Sequence, residues 1–177
     1  MVKDQKIRAR PRSKVTLHPP PGLRDVDFSY LTSNKADPVF VISTKEKKRV
    51  LVLDLDETLV HCKKEGPSSK CDQVIKIVLP DNQGTMLGML NFRPHVFEFL
   101  KEMVKYYELV VYTASHECYA SIVIDLLDPK SKYFFSLTIG EFFSAILCRD
   151  QCIQTDKSFL LKDMSIFNGR SLDEIMI

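Results

Sequence analysis

Leu51-Val52-Leu53-Asp54-Leu55-Asp56-Glu57-Thr58-Leu59-Val60-His61-Cys62 is the stretch from which the rest of the chain is read. Val50 to Leu53 are consecutive, β-prone and preceded by the charges of Lys47, Lys48 and Arg49, which suits a strand buried on both faces of a parallel sheet. Side chains alternate along a strand, so Asp54 and Asp56 point the same way while Leu55 turns into the core. Two carboxylates held that close repel one another unless a cation sits between them or one is protonated. A hard divalent ion such as magnesium accepts such oxygens and keeps its remaining positions for water and substrate phosphate. The spacing also separates two tasks. One carboxylate can attack phosphorus, and the other can serve the leaving oxygen as general acid and then activate water as general base.

Outward from this stretch the pattern repeats. A polar segment, Lys63 to Lys70, is expected to be a loop, and Val74–Val78 with Met86–Phe92 reads as a hairpin closed by Pro80-Asp81-Asn82-Gln83-Gly84. Arg93-Pro94 opens a helix whose apolar face is Val96, Phe97, Leu100, Met103, Val104 and Tyr107. Leu109 to Tyr112 form a second buried strand ending at Thr113-Ala114-Ser115. A second helix follows, with Ser115 as candidate N-cap and Tyr119, Ile122, Val123, Leu126 and Leu127 as its buried face, stopped at Asp128-Pro129. A third strand is expected between Phe134 and Cys148, and another begins at Ile175. Strand and helix in alternation predict an α/β domain with an open parallel sheet, whose ligands bind at the carboxyl ends of the strands. Asp54, Asp56 and Thr113 all fall on that edge, and Thr113 and Lys162 are candidates to hold the oxygens of a transferred phosphoryl group.

Composition bounds the remainder. The 177 residues, 45% apolar and 27% charged, suit one globular domain. A net charge of +2 leaves no global footprint for nucleic acid, and no apolar run reaches the length of a membrane span. Residues 1–47 read as a basic tail, with Lys3, Lys6, Arg8, Arg10, Arg12 and Lys14 against a single Asp4. A flexible solvated arm is the plain reading, a nuclear-import signal or phosphate-binding arm the sharper one. The five cysteines show no metal-site spacing and point to reduced thiols in the cytosol or nucleus. His61 and His116 are read as packed or solvent-facing and Cys62 as buried and inert.

These residues carry a resemblance. Leu51 to Cys62 resembles the first motif of the haloacid dehalogenase superfamily, and more narrowly that of the RNA polymerase II C-terminal-domain phosphatases, the small CTD phosphatase or NLI-interacting-factor-like family. The likeness continues through Asn91-Phe92-Arg93-Pro94, Leu109 to Ser115, Tyr119-Ala120, Asp125 to Pro129, Arg149 and Lys162-Asp163-Met164-Ser165 to Ile177. It implies a Rossmann-like domain over residues 48–177, with a small β-hairpin insertion, no large cap and an open groove suited to a phosphoserine or phosphothreonine peptide. It implies Asp54 as nucleophile and magnesium ligand, and Asp56 as acid/base that binds magnesium through its backbone carbonyl. Thr113 would hold a phosphate oxygen and Lys162 the phosphoaspartate. Thr58 would shape the loop under the nucleophile, and Arg93 would sit near the substrate groove. In the family the strand starting like Asp173 to Ile177 continues into a further metal-binding Asp, so the chain is expected to be a C-terminally incomplete phosphatase domain. The alternatives are a non-catalytic phosphopeptide-binding module and a phosphatase of small esters.

Overall fold

The computed structural model describes residues 49–64, 70–79, 83–130, 132–134, 137–155, 159–167 and 169–177. The basic tail lies outside these residues, as do the centre of the loop expected after Lys63 and most of the hairpin turn at 80–82. In chain order the strands are β1 (Arg49–Leu53), β2 (Val60–Lys64), β3 (Gln73–Val78), β4 (Thr85–Phe92), β5 (Tyr107–Tyr112), β6 (Lys132–Phe134), β7 (Leu137–Ile139), β8 (Phe143–Leu147), β9 (Ile153–Gln154), β10 (Leu160–Leu161) and β11 (Ile175–Met176). Helix α1 (Val96–Met103) precedes β5, and α2 (Glu117–Leu127) follows it.

The main sheet has six strands in the order β11-β1-β5-β8-β7-β6. β11, β1, β5 and β8 are parallel, as the alternating pattern predicts, whereas β7 and β6 extend the sheet antiparallel. Alternation along β1 and β5 divides the core in two. Leu51, Leu53, Leu109 and Val111 pack with Leu100 of α1 and Val123, Ile124 and Leu127 of α2. Val50, Val52, Val110 and Tyr112 pack on the opposite face with Ile166 and Phe167. Each fully buried Leu or Val contributes about 1.5–3 kcal/mol, so these continuous apolar strands demand cover on both faces.

The insertion is larger than a hairpin. β4 pairs antiparallel with β3 and also with β2, making a three-stranded sheet in the order β2-β4-β3. The polar Lys63-Lys64, expected to be loop, therefore ends a strand. Their exposure is tolerated because β2 is an edge whose stability comes from backbone bonds to β4. Gly88 of β4 permits a close approach within this sheet. A Cβ there would meet Cys62 Sγ at 2.8 Å and Ile75 Cγ1 at 3.2 Å.

Four local expectations are corrected. Pro94 lies just ahead of α1, whose N-cap is His95 in the left-handed region (φ 66°), and Phe97 is exposed, with its ring 5.1 Å from that of Phe92. Tyr107 opens β5 instead of closing the helix. The N-cap of α2 is His116, which makes no side-chain capping bond, because the hydroxyl of Ser115 is used elsewhere.

Candidate active site

β1 ends at Leu53, and the chain turns sharply beyond it. The carbonyl of Leu55 accepts from the backbone of Leu59 at 2.9 Å and Val60 at 3.2 Å, and Glu57 adopts φ 60°. A non-glycine residue in that region is strained and persists only when its surroundings hold it. Arg93 supplies the hold. Its Nη2 donates to the Glu57 carbonyl at 2.7 Å and its Nε to the Thr58 carbonyl. Arg93, expected beside the substrate groove, is thus a clamp on the loop, and Thr58 enters the site through its backbone.

Asp54 is half exposed at the strand tip. Its Oδ1 accepts from the amide of Leu55 at 2.7 Å, and its Oδ2 pairs with Lys162 Nζ at 2.8 Å. Lys162 follows β10, so the ammonium and carboxylate meet only through the fold. Thr113, at the tip of β5, is buried, and its amide donates to Leu147 of β8 at 2.8 Å. Its Oγ1 accepts from the Ser115 amide at 3.1 Å, which leaves the hydroxyl proton available to a ligand. The Cys152 thiol donates to the Thr113 carbonyl at 3.7 Å, and burial raises its pKa despite the nearby charges of Lys162 and Arg149.

Asp56 is held differently. Ser115 Oγ donates to its Oδ2 at 2.7 Å, and Tyr119 Oη donates to its Oδ1 at 2.6 Å. Burial, reinforced by that carboxylate, pushes the Tyr119 phenol far above its ordinary pKa, so it remains a donor. Sequence reasoning missed both hydroxyls. Their signal is their place beside the tip of β5, Ser115 just before the α2 N-cap and Tyr119 in the first turn of the helix. Arg149, in the turn after β8, was noted only as part of the resemblance. It donates through Nε to the Ala114 carbonyl and through Nη1 to His116 Nε2, each at 2.8 Å.

A cleft of about 280 Å³ opens between the insertion sheet and the start of α2. Asp56, Ser115 and Tyr119 line it together with Ile77, Met86 and Arg149, whereas Asp54, Thr113 and Lys162 do not. Of the two carboxylates, Asp56 lines this cleft and Asp54 does not.

The sequence profile described as "NLI interacting factor-like phosphatase" matches residues 49–177. The chain belongs to this family. Nuclear envelope morphology protein 1 of Schizosaccharomyces pombe is 34% identical over 137 residues, 77% of this chain and 26% of that one. CTD nuclear envelope phosphatase 1 of Xenopus tropicalis is 43% identical over 89 residues, 46% of this chain and 36% of that one. The chain thus spans about a quarter to a third of the length of these relatives. The fold is similar to that of a variant of the fission yeast RNA polymerase II CTD phosphatase Fcp1 bound to beryllium fluoride. The TM-score is 0.56 at 21% identity, covering 73% of this chain and 36% of the other.

For an NLI interacting factor-like phosphatase, the donors at this site suit a hard cation only sparsely. Among the described residues no group of three or more His, Cys, Asp or Glu side chains converges. The side-chain oxygens of Asp56 are engaged by hydroxyls, but its backbone carbonyl accepts no hydrogen bond among the described residues. That carbonyl and the half-exposed carboxylate of Asp54 fit an ion which takes one or two protein oxygens and completes its shell with water and phosphate. No helix among the described residues is long and apolar enough to cross a membrane.

Proposed function

We propose that the chain is the catalytic portion of a magnesium-dependent protein serine/threonine phosphatase that works through an aspartyl-phosphate. The unlike settings of the two carboxylates carry this reading: Asp54 pairs with a lysine, and Asp56 is held by two hydroxyls and lines the cleft. An Oδ of Asp54 attacks phosphorus in line, and the bond from phosphorus to the seryl or threonyl oxygen breaks. Asp56, entering as the acid, gives its proton to that leaving oxygen. Water then attacks the phosphoaspartate and returns a proton to Asp56, releasing inorganic phosphate and restoring Asp54. Lys162 Nζ and the hydroxyl of Thr113 bind the phosphoryl oxygens as charge spreads over them. Magnesium, held by Asp54 and the Asp56 carbonyl, would offset the repulsion between the nucleophile and an anionic substrate.

An acid must touch the leaving oxygen, so the chain bearing that oxygen lies on the side of Asp56, in the cleft. An open cleft suits a side chain of an extended peptide. The C-terminal domain of RNA polymerase II is one candidate substrate, and the relatives' names make the nucleus or nuclear envelope a candidate location.

Phosphate release from a phosphoserine peptide, measured with and without magnesium, tests the proposal with wild type and Asp54→Asn. Release is expected only with both the metal and Asp54, with a loss of at least about 1,000-fold in the variant. Undiminished release by Asp54→Asn would refute the mechanism. Peptide binding without release would favour the non-catalytic module.

A further inference from the structure

The cleft beside Asp56 is lined unevenly in charge. Lys63 and Lys64 at the end of β2 line it from the insertion sheet, and His116 and Arg149 line it from the domain body. Asp56 is its sole acidic lining residue among the described residues, and the carboxylate of Asp56 already accepts two hydrogen bonds from hydroxyls. The floor between these walls is apolar, including Ile77 and Met86.

A basic rim is ordinarily a solvated surface. Two observations argue for more here. Lys63, Lys64 and Arg149 have no carboxylate partner among the described residues, as is also true of Lys70, Lys76 and Lys101, but of these six only Lys63, Lys64 and Arg149 line one cleft together. Arg149 is also held in place: its backbone amide donates to the Ser115 carbonyl at 3.0 Å, its Nε to Ala114 and its Nη1 to His116. An arginine cannot accept a hydrogen bond, so His116 Nε2 is the acceptor, and the remaining guanidinium donors are uncommitted. A pre-positioned guanidinium and two exposed ammonium groups lining one cleft with apolar residues are complementary to an anion on an extended chain.

We infer that this cleft selects substrates carrying an anionic side chain, a carboxylate or a second phosphate, on the segment flanking the phosphorylated residue. The inference rests on the phosphatase reading in one respect, that the leaving chain lies on the side of Asp56. Selection arises because the anion gains attraction from three solvent-exposed cations gathered on one cleft, while a basic flank is repelled. The apolar floor takes the methylene part of a glutamate or the backbone beside a phosphoserine.

The test uses four labelled phosphoserine peptides that differ only in flank: glutamate, a second phosphoserine, glutamine or lysine. Binding to the full chain is read by fluorescence anisotropy without magnesium, and kcat/KM for phosphate release with magnesium. Both are measured at about 0.05 M and about 0.5 M salt. The anionic peptides are expected to bind about fivefold or more tighter than the glutamine peptide at low salt, and the advantage shrinks at high salt. Lys63→Glu combined with Lys64→Glu is expected to invert the order of the glutamate and lysine peptides. Lys63→Gln with Lys64→Gln is expected to reduce the preference, and it serves if the reversed variant fails to fold by circular dichroism. A preference confined to the doubly phosphorylated peptide would support a second phosphate as the anion, and a preference shared by both anionic peptides would support any anion. Affinities equal within about twofold, or a preference left intact by charge reversal, would overturn the inference. Equal release from all four peptides would keep the phosphatase and remove the selectivity. An anionic binding preference with no release from any peptide would keep the selectivity and remove catalysis.

Discussion

Tyr119 and Ser115 each donate a hydrogen bond to Asp56, and this pair of bonds sets where its carboxylate points. Asp54 instead takes a backbone amide and a lysine, so two identical side chains two residues apart are placed in unlike surroundings. If Asp56 protonates the leaving oxygen, its orientation matters most when that oxygen is a poor leaving group. Tyr119→Phe and Ser115→Ala are therefore each expected to lower kcat on a phosphoserine peptide about 10–100-fold. Turnover of p-nitrophenyl phosphate, whose phenolate leaves without a proton, should fall much less. Equal losses on the two substrates would mean that the hydroxyls serve only to hold the fold. The neighbouring thiol of Cys62, expected to be buried, is only partly buried and lines the cleft, although desolvation still raises its pKa.

Between α2 and β8, a single carboxylate organises the chain. Asp128, fully buried at the C-cap of α2, accepts from the backbone amides of Glu141 at 3.1 Å, Phe142 at 2.8 Å and Phe143 at 3.3 Å. These amides open β8, whose far end carries Arg149 to the cleft. Asp128→Ala strands buried donors and is expected to cost about 3 kcal/mol or more in urea denaturation. Asp128→Asn, which retains one carbonyl acceptor, should cost less. An alanine variant as stable as wild type would show that the segment at 141–143 finds other partners.

Across the whole molecule, the edge that carries Asp54 and Thr113 is opposed by a buried ion pair at the other end of the strands. Glu108, near the start of β5, bonds Arg170 Nη2 at 2.6 Å, and both side chains are under 10% exposed. Its Oε1 is buried without a hydrogen-bond partner among the described residues. Desolvation raises the Glu108 pKa, and Arg170 opposes this only in part. A carboxyl whose folded pKa is raised contributes stability that is fully present below its unfolded value and is lost as pH rises through the folded one. The stability of wild type relative to Glu108→Gln should therefore increase as pH falls from 7 toward about 4.5, read as the difference in urea midpoints. A pH-independent difference would show that Arg170 keeps the carboxylate ionised throughout. Arg170→Ala leaves a buried charge unpaired and is expected to cost about 3–5 kcal/mol.

Continuous apolar runs at Val50–Leu53 and Leu109–Tyr112 were enough to identify buried parallel strands, because burial on both faces leaves no room for polar alternation. The residues that follow them, Asp54, Asp56 and Thr113, were legible as site candidates for the same reason: strand ends in such a sheet define the ligand edge. Local pattern, however, reports only which neighbours share a face. It could not show that β2 would join the hairpin, since pairing of an edge strand is made by backbone groups common to all residues. Nor could it foresee Ser115 and Tyr119 turning to Asp56 or Arg93 clamping the loop, and Lys162 was tied to Asp54 only by the family resemblance. Those contacts join distant parts of the chain, and the packing of β1, β5, α2 and the segment after β10 alone brings them within hydrogen-bonding reach.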